Sequence, residues 1–102
     1  MKSLNNFLDP EGRLVKFPSK RPMQMEALAY LAGKFSPDRE YAEREVNGLL
    51  LEWHTFGDPA TLRRELYDRC FLDRDPYGKH YRLNEGFVKG LAETAAEDGP
   101  ES

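Results

Sequence analysis

Two adjacent arginines, Arg63 and Arg64, stand inside Asp58-Pro-Ala-Thr-Leu-Arg-Arg-Glu-Leu66. A guanidinium carries a planar fork of N–H donors that suits phosphate oxygens and the edges of guanine. On a helix two neighbours diverge by about 100°, so the pair divides. Arg64, with Thr61, faces away from the apolar stripe and is a candidate contact for bases or phosphates. Arg63 lies beside the stripe and is expected to pair with a carboxylate and fix helix packing. Downstream, Arg74, Lys79 and Arg82, with His80, cluster around a turn. They form either a wing that follows a groove or a solvated hairpin whose charges protect an edge strand. Lys16, Lys20 and Arg21 make the densest basic patch, placed to meet phosphate near a helix start or to keep the surface soluble.

Other chemistries find less support. His54, Cys70 and His80 do not stand at a metal-ligand spacing such as C-x-x-C or H-E-x-x-H, so no metal is expected. Cys70 extrapolates onto an apolar helical stripe, where a lone cysteine acts as a small core residue. His54 is expected to cap the end of a helix and pack on the following turn. Glu43, Glu45 and Glu52 lie along one helical segment with Arg44 among them and read as a solvated acidic face. Trp53, Phe56, Phe71 and Tyr81 read as core at a helix–hairpin junction rather than as a stacking platform for single strands. No catalytic residue, cofactor or small-molecule substrate is inferred.

These residues need elements to hold them. Ala27, Leu28, Leu31 and Phe35 predict a first helix from about Pro22 to Phe35, opened by Ser19 and stopped by Ser36-Pro37-Asp38. Arg39-Glu-Tyr41 is short enough to pair as a minor strand. Val46, Leu49, Leu50 and Trp53 recur at helical spacing and predict a second helix over about 42–53, with Glu43 and Glu45 in its first turn. Gly57 suits the turn that follows. Asp58 is a strong N-cap and Pro59 a good first residue, so a third helix starts there and carries Leu62 and Leu66 inward. Phe71 to Arg74 and Lys79 to Leu83 read as strands around Asp75-Pro-Tyr-Gly78, a turn with proline second and glycine last. Phe7-Leu8 and Arg13 to Phe17 flank a similar turn, Asp9-Pro-Glu-Gly12, and read as a hairpin or extended arm. The expected organisation is an arm over 1–21, a core over 22–83 and an acidic tail over 84–102, weakly helical near Phe87 and Leu91 and then disordered.

The chain has 102 residues, enough for one small core, with 39% hydrophobic and 32% charged residues. Its apolar runs, such as Leu49-Leu50-Leu51, are too short to cross a bilayer, and its first residues have no apolar signal segment. A single cysteine fits a reducing compartment, so a cytoplasmic protein without a membrane partner is expected. Net charge is −3, which argues against nucleic acid until its distribution is seen. Residues 84–102 carry −4 and residues 37–56 carry −3, whereas residues 1–36 carry +3 and residues 57–83 carry +1. Acidity thus sits in the tail and the second helix.

Several spaced motifs carry a resemblance: Phe7-Leu-Asp9, Gly12-Arg-Leu14, Phe17-Pro-Ser-Lys-Arg21, Tyr41-Ala-Glu-Arg-Glu-Val-Asn47, His54, Asp58, Thr61-Leu-Arg-Arg-Glu-Leu66, Leu72-Asp-Arg74, Gly78 and Tyr81. Together they resemble a bacterial family known as domain of unknown function number twenty eighty-seven, over roughly residues 7 to 83. The resemblance implies a small winged-helix-like domain, attached in some relatives to transcriptional regulators, and implies no activity. Two positions depart from the family pattern. Ala42 stands where a capping Thr or Ser is usual, which should cost about 1 kcal/mol locally. The last strand reads Tyr81-Arg82 where the family tends to have Tyr-Trp-Arg.

The expected fold class is therefore α+β, a winged helix-turn-helix of three helices with a C-terminal hairpin wing and an N-terminal arm. The expected function is a DNA-binding or transcription-associated module acting on duplex DNA through Thr61, Arg64, Arg74, Lys79, Arg82, Lys20 and Arg21. The alternative is a protein-interaction or dimerisation module without nucleic acid. The third helix has no net charge, since Asp58, Glu65 and Asp68 match its three arginines. That neutrality motivates the alternative.

Overall fold

A computed structural model describes residues 4–90 of the chain. A short 3-10 turn, Leu4–Phe7, leads into the Asp9–Gly12 turn. The Gly12 N–H donates to Asp9 O at 2.9 Å, and Gly12 takes φ +82°. A Cβ there would meet the Tyr30 hydroxyl at 3.0 Å, so both backbone and space call for glycine. Leu8 and Leu14 bridge across the turn, as the hairpin reading expects. The arm is also part of the body. Leu14 is fully buried, its N–H donates to Trp53 O at 2.8 Å, and its carbonyl accepts from Thr55 N–H at 2.9 Å. Tyr30 adds a clasp, donating its hydroxyl to Gly12 O at 2.7 Å.

Helix α1 runs Arg21–Ala32. Lys20 is its N-cap residue rather than Ser19 and offers no side-chain cap; Pro22 still occupies the first turn. The helix ends earlier than Phe35. Lys34 and Phe35 donate to carbonyls three residues back, at 3.0 and 3.1 Å, which tightens the chain out of α geometry. That tightening leaves Phe35 buried and edge-on to Tyr41, with centroids 5.1 Å apart. Strand β1, Glu40–Ala42, leads straight into helix α2, Glu43–Trp53. Alanine at the N-cap has no acceptor, so only the reverse half of a capping box forms: Glu45 Oε1 accepts the Ala42 N–H at 2.7 Å.

Helix α3 spans Pro59–Asp68, and the Asp58 carboxylate accepts the Thr61 N–H at 3.2 Å. Its end corrects the sequence reading of Cys70. The Phe71 N–H reaches back to Leu66 O at 2.8 Å and the Cys70 N–H to Tyr67 O at 3.1 Å, which is a Schellman turn. Cys70 holds its left-handed position at φ +72° and is exposed instead of lying on the apolar stripe. Phe71, one residue on, is the group that turns into the core.

Strands β2, Leu72–Arg74, and β3, His80–Leu83, close the Asp75–Gly78 turn, and β1 pairs with the other edge of β3. The antiparallel sheet has the order β1-β3-β2. Tyr41 and Tyr81 share one register row with Arg74 and face the core, whereas Glu40, Arg82 and Asp73 form the adjacent row and are exposed. Leu28, Leu31, Val46, Leu50, Leu62 and Leu66 fill the space between helices and sheet. Residues 85–90 begin a further helix, capped by Asn84 Oδ1 on the Phe87 N–H at 3.2 Å, with Phe87 edge-on to Phe71. The expected acidic, disordered end of the tail lies outside the described residues. Among the described residues, no helix is long and apolar enough to cross a membrane. The order of helices and strands is compatible with a winged-helix-like α+β fold.

Candidate functional site

Arg63 and Arg64 within α3 and Arg69 at its C-cap have different fates. Arg63 is half-buried, donates through Nη1 to Asn47 Oδ1, and brings Nη2 within 3.7 Å of Glu43 on α2. Arg69 pairs with Glu65 one turn back at 2.9 Å. Arg64 is exposed, and among the described residues it makes no ion pair or hydrogen bond. Thr61 lies one turn before it on the same exposed face, with its N–H committed to Asp58.

Arg64 opens onto a cleft of about 240 Å³ between α3 and the sheet, lined by Arg63, Arg64, Tyr67, Asp68, Arg74 and Tyr81. Strand register explains how Arg74 arrives there. It shares the row of Tyr41 and Tyr81, so it points to the side on which α3 packs, at the open edge of β2. Its guanidinium carbon sits 4.3 Å from the centre of the Tyr67 ring. Interactions with the side chains of Tyr81 and then Tyr67 raise its pKa above the ordinary arginine value. Stacking on an aromatic face fixes the plane of the guanidinium and leaves N–H edges for a ligand.

The remaining candidates disperse. Arg82 lies on the opposite face of the sheet, directly between Glu40 and Asp73 in register. A second hollow of about 200 Å³ beside it is lined by Glu40, Asp73, Asp75, His80 and Arg82 together with Arg74 and Tyr81, and so mixes both signs. Lys79 follows the hairpin turn, exposed. Lys20 and Arg21 stand at the start of α1, where Lys20 lines a separate small hollow with Phe7, Pro18, Ser19 and Met23. His54 is buried between α2 and α3. Its Nδ1 bonds to Leu50 O, and its Nε2 accepts the Asp58 N–H at 2.9 Å. Among the described residues, no three His, Cys, Asp or Glu side chains gather as a metal site.

Tyr67 is the cleft residue that sequence reasoning missed. It stands three residues after Arg64, which is the spacing of one helix face, but its partner Arg74 comes from another element. The hairpin carries one titration of its own. The Lys79 N–H, donating to Asp75 Oδ1 at 2.8 Å, holds the Asp75 carboxyl below its usual 3.8; partial desolvation opposes this, and His80 reinforces it. A depressed folded-state value means the turn is favoured above the unfolded pKa and loses that support as pH falls through the folded one. In an NMR acid titration the Lys79 amide should shift together with the Asp75 carboxyl, and Asp75→Asn should abolish the step. An amide that stays flat through the acid range would show that this bond does not form.

Fold and site together define a small α+β domain in which Arg64 and Arg74 line one cleft between a helix and a β-hairpin. The chain belongs to the family described as uncharacterized protein conserved in bacteria (DUF2087), whose profile matches residues 13–83. The matched span covers every element from α1 to β3 and begins one residue before the buried Leu14. Searches of the curated proteins and of the solved structures return no match to the chain.

Proposed function

We propose that the chain is a winged-helix module that binds duplex DNA, with α3 as the recognition helix and the β2–β3 hairpin as the wing. The element order α1-β1-α2-α3-β2-β3 and the sheet order β1-β3-β2 support this reading. So does the turn between α2 and α3, held by His54 and Asp58. The observation that carries it is the meeting of Arg64 and Arg74 in the cleft where helix and wing join. Arg63 is matched by Glu43 and Arg69 by Glu65, which leaves Arg64 beside Asp58 and Asp68 on the helix, and the further positive charge at the cleft comes from Arg74 on the hairpin. Thr61, Arg64 and Arg74 are the inner contacts and Lys79 an outer one. Arg82 contributes less because carboxylates flank it.

Fluorescence anisotropy with a duplex of mixed sequence tests the proposal. Affinity should fall steeply with added salt, by about 0.9 in the log–log slope for each phosphate neutralised. Arg64→Ala should weaken binding about tenfold. A chain that fails to bind duplex DNA even at low ionic strength is not a DNA-binding module. A protein-interaction or dimerisation module is the second reading. It is favoured by the mixed-charge outer face of the sheet and by two exposed apolar side chains, Leu51 at 52% and Tyr77 at 82%. Self-association in sedimentation that is indifferent to DNA would favour it.

A further inference from the structure

We infer that the cleft between α3 and the hairpin is a seat for a single phosphodiester group, gripped by Arg64 and Arg74, with Tyr67 as the residue that positions Arg74. The inference deepens the DNA reading and rests on it for the source of the phosphate. Its volume, about 240 Å³, lies below the roughly 300 Å³ at which pockets begin to enclose whole small ligands, so it suits one group rather than one molecule.

Charge narrows the choice further. Arg64 and Arg74 supply two positive charges, Arg63 is matched by Glu43 on α2, and Asp68 adds one negative charge at the cleft. The resulting local excess of one positive charge matches the single negative charge of a backbone phosphodiester. A dianionic phosphate monoester would bring a second negative charge toward Asp68, where like charges repel.

The two guanidinium groups play unequal parts. Arg64 is exposed and must order its side chain on binding. Arg74 is already stacked on Tyr67, at 4.3 Å, so less rotational freedom is lost when it engages an oxygen. Tyr67 itself need not touch the ligand. Its ring restrains the arginine, and the Tyr81 side chain supports the same guanidinium from the sheet.

The test measures duplex affinity of the full chain against salt for Arg74→Ala, Tyr67→Leu, Tyr67→Phe and Arg82→Ala, with circular dichroism to confirm folding. Arg74→Ala should weaken binding about tenfold and reduce the salt slope by about one contact. Tyr67→Leu should follow it, Tyr67→Phe should rescue it by keeping the ring, and Arg82→Ala should lower the slope by less than Arg74→Ala does. If Arg64→Ala weakens binding but Arg74→Ala and Tyr67→Leu do not, the phosphate seat is wrong and the DNA reading stands. If the native chain binds no duplex at all, the DNA reading fails, and an NMR titration with dimethyl phosphate, a phosphodiester of single negative charge, judges the cleft alone. A saturable shift of the Arg74 Nε–H signal, lost in Tyr67→Leu, would keep an anion seat there. No shift would overturn it.

Discussion

Replacing His54 with alanine is expected to lower the unfolding free energy by about 3 kcal/mol, because a buried carbonyl and a part-buried amide lose their partner at once. His54 is 3% exposed and ends α2 in an extended conformation. The Leu50 carbonyl can only accept, so the ring donates from Nδ1; the Asp58 amide can only donate, so Nε2 accepts. One side chain therefore satisfies the last turn of α2 and the entry to α3. Alanine would leave the buried Leu50 carbonyl unpaired, strip the Asp58 amide of its acceptor, and remove the ring that packs edge-on against Phe56 at 4.7 Å. Urea denaturation measures the loss, which corresponds to a fall in melting temperature of roughly 12 °C or more for a domain of this size. A loss under about 1 kcal/mol would mean that water replaces the ring without cost and that the helix junction does not depend on it.

Leu14→Ala should cost a similar amount, about 3 kcal/mol, though by a different mechanism. Leu14 has no exposed surface and packs in the main core cluster, yet it comes from the arm rather than from a helix or sheet. Its truncation opens a cavity that the surroundings cannot fully close, since its own backbone is fixed on both sides to Trp53 and Thr55. Denaturation of the variant distinguishes a structural arm from a decorative one. If stability is unchanged, the arm does not belong to the folded unit.

Much of this architecture follows from local rules that act over a few residues. Asp58-Pro59 starts α3 because a carboxylate and a fixed φ each suit that place. Val46 with Leu50, and Leu62 with Leu66, are buried because helical period puts each pair on one face. The Asp75–Gly78 turn follows from its proline and glycine. Other features depend on partners that no local window contains. Leu14 is fully buried in an irregular segment and offers no period to detect. The apolar spacing of α3 continues to Cys70 and points it inward, whereas the helix stops at Asp68 without the glycine that normally marks such a stop. The candidate site was half legible. Arg64 emerged from its helix face, but separating Arg74 from Arg82 required the register of three strands, and joining Arg74 to Tyr67 required the angle at which the hairpin leaves α3.

The left-handed turn at Cys70 has a mechanical consequence. Only residues 69–71 separate α3 from β2, and all three donate backbone hydrogen bonds back into α3. Helix and hairpin are thus geared together like a jaw with no free hinge. On the proposed DNA reading, a duplex that accepted the helix would have to meet the hairpin at a fixed offset and tilt, so its curvature would matter as well as its charge.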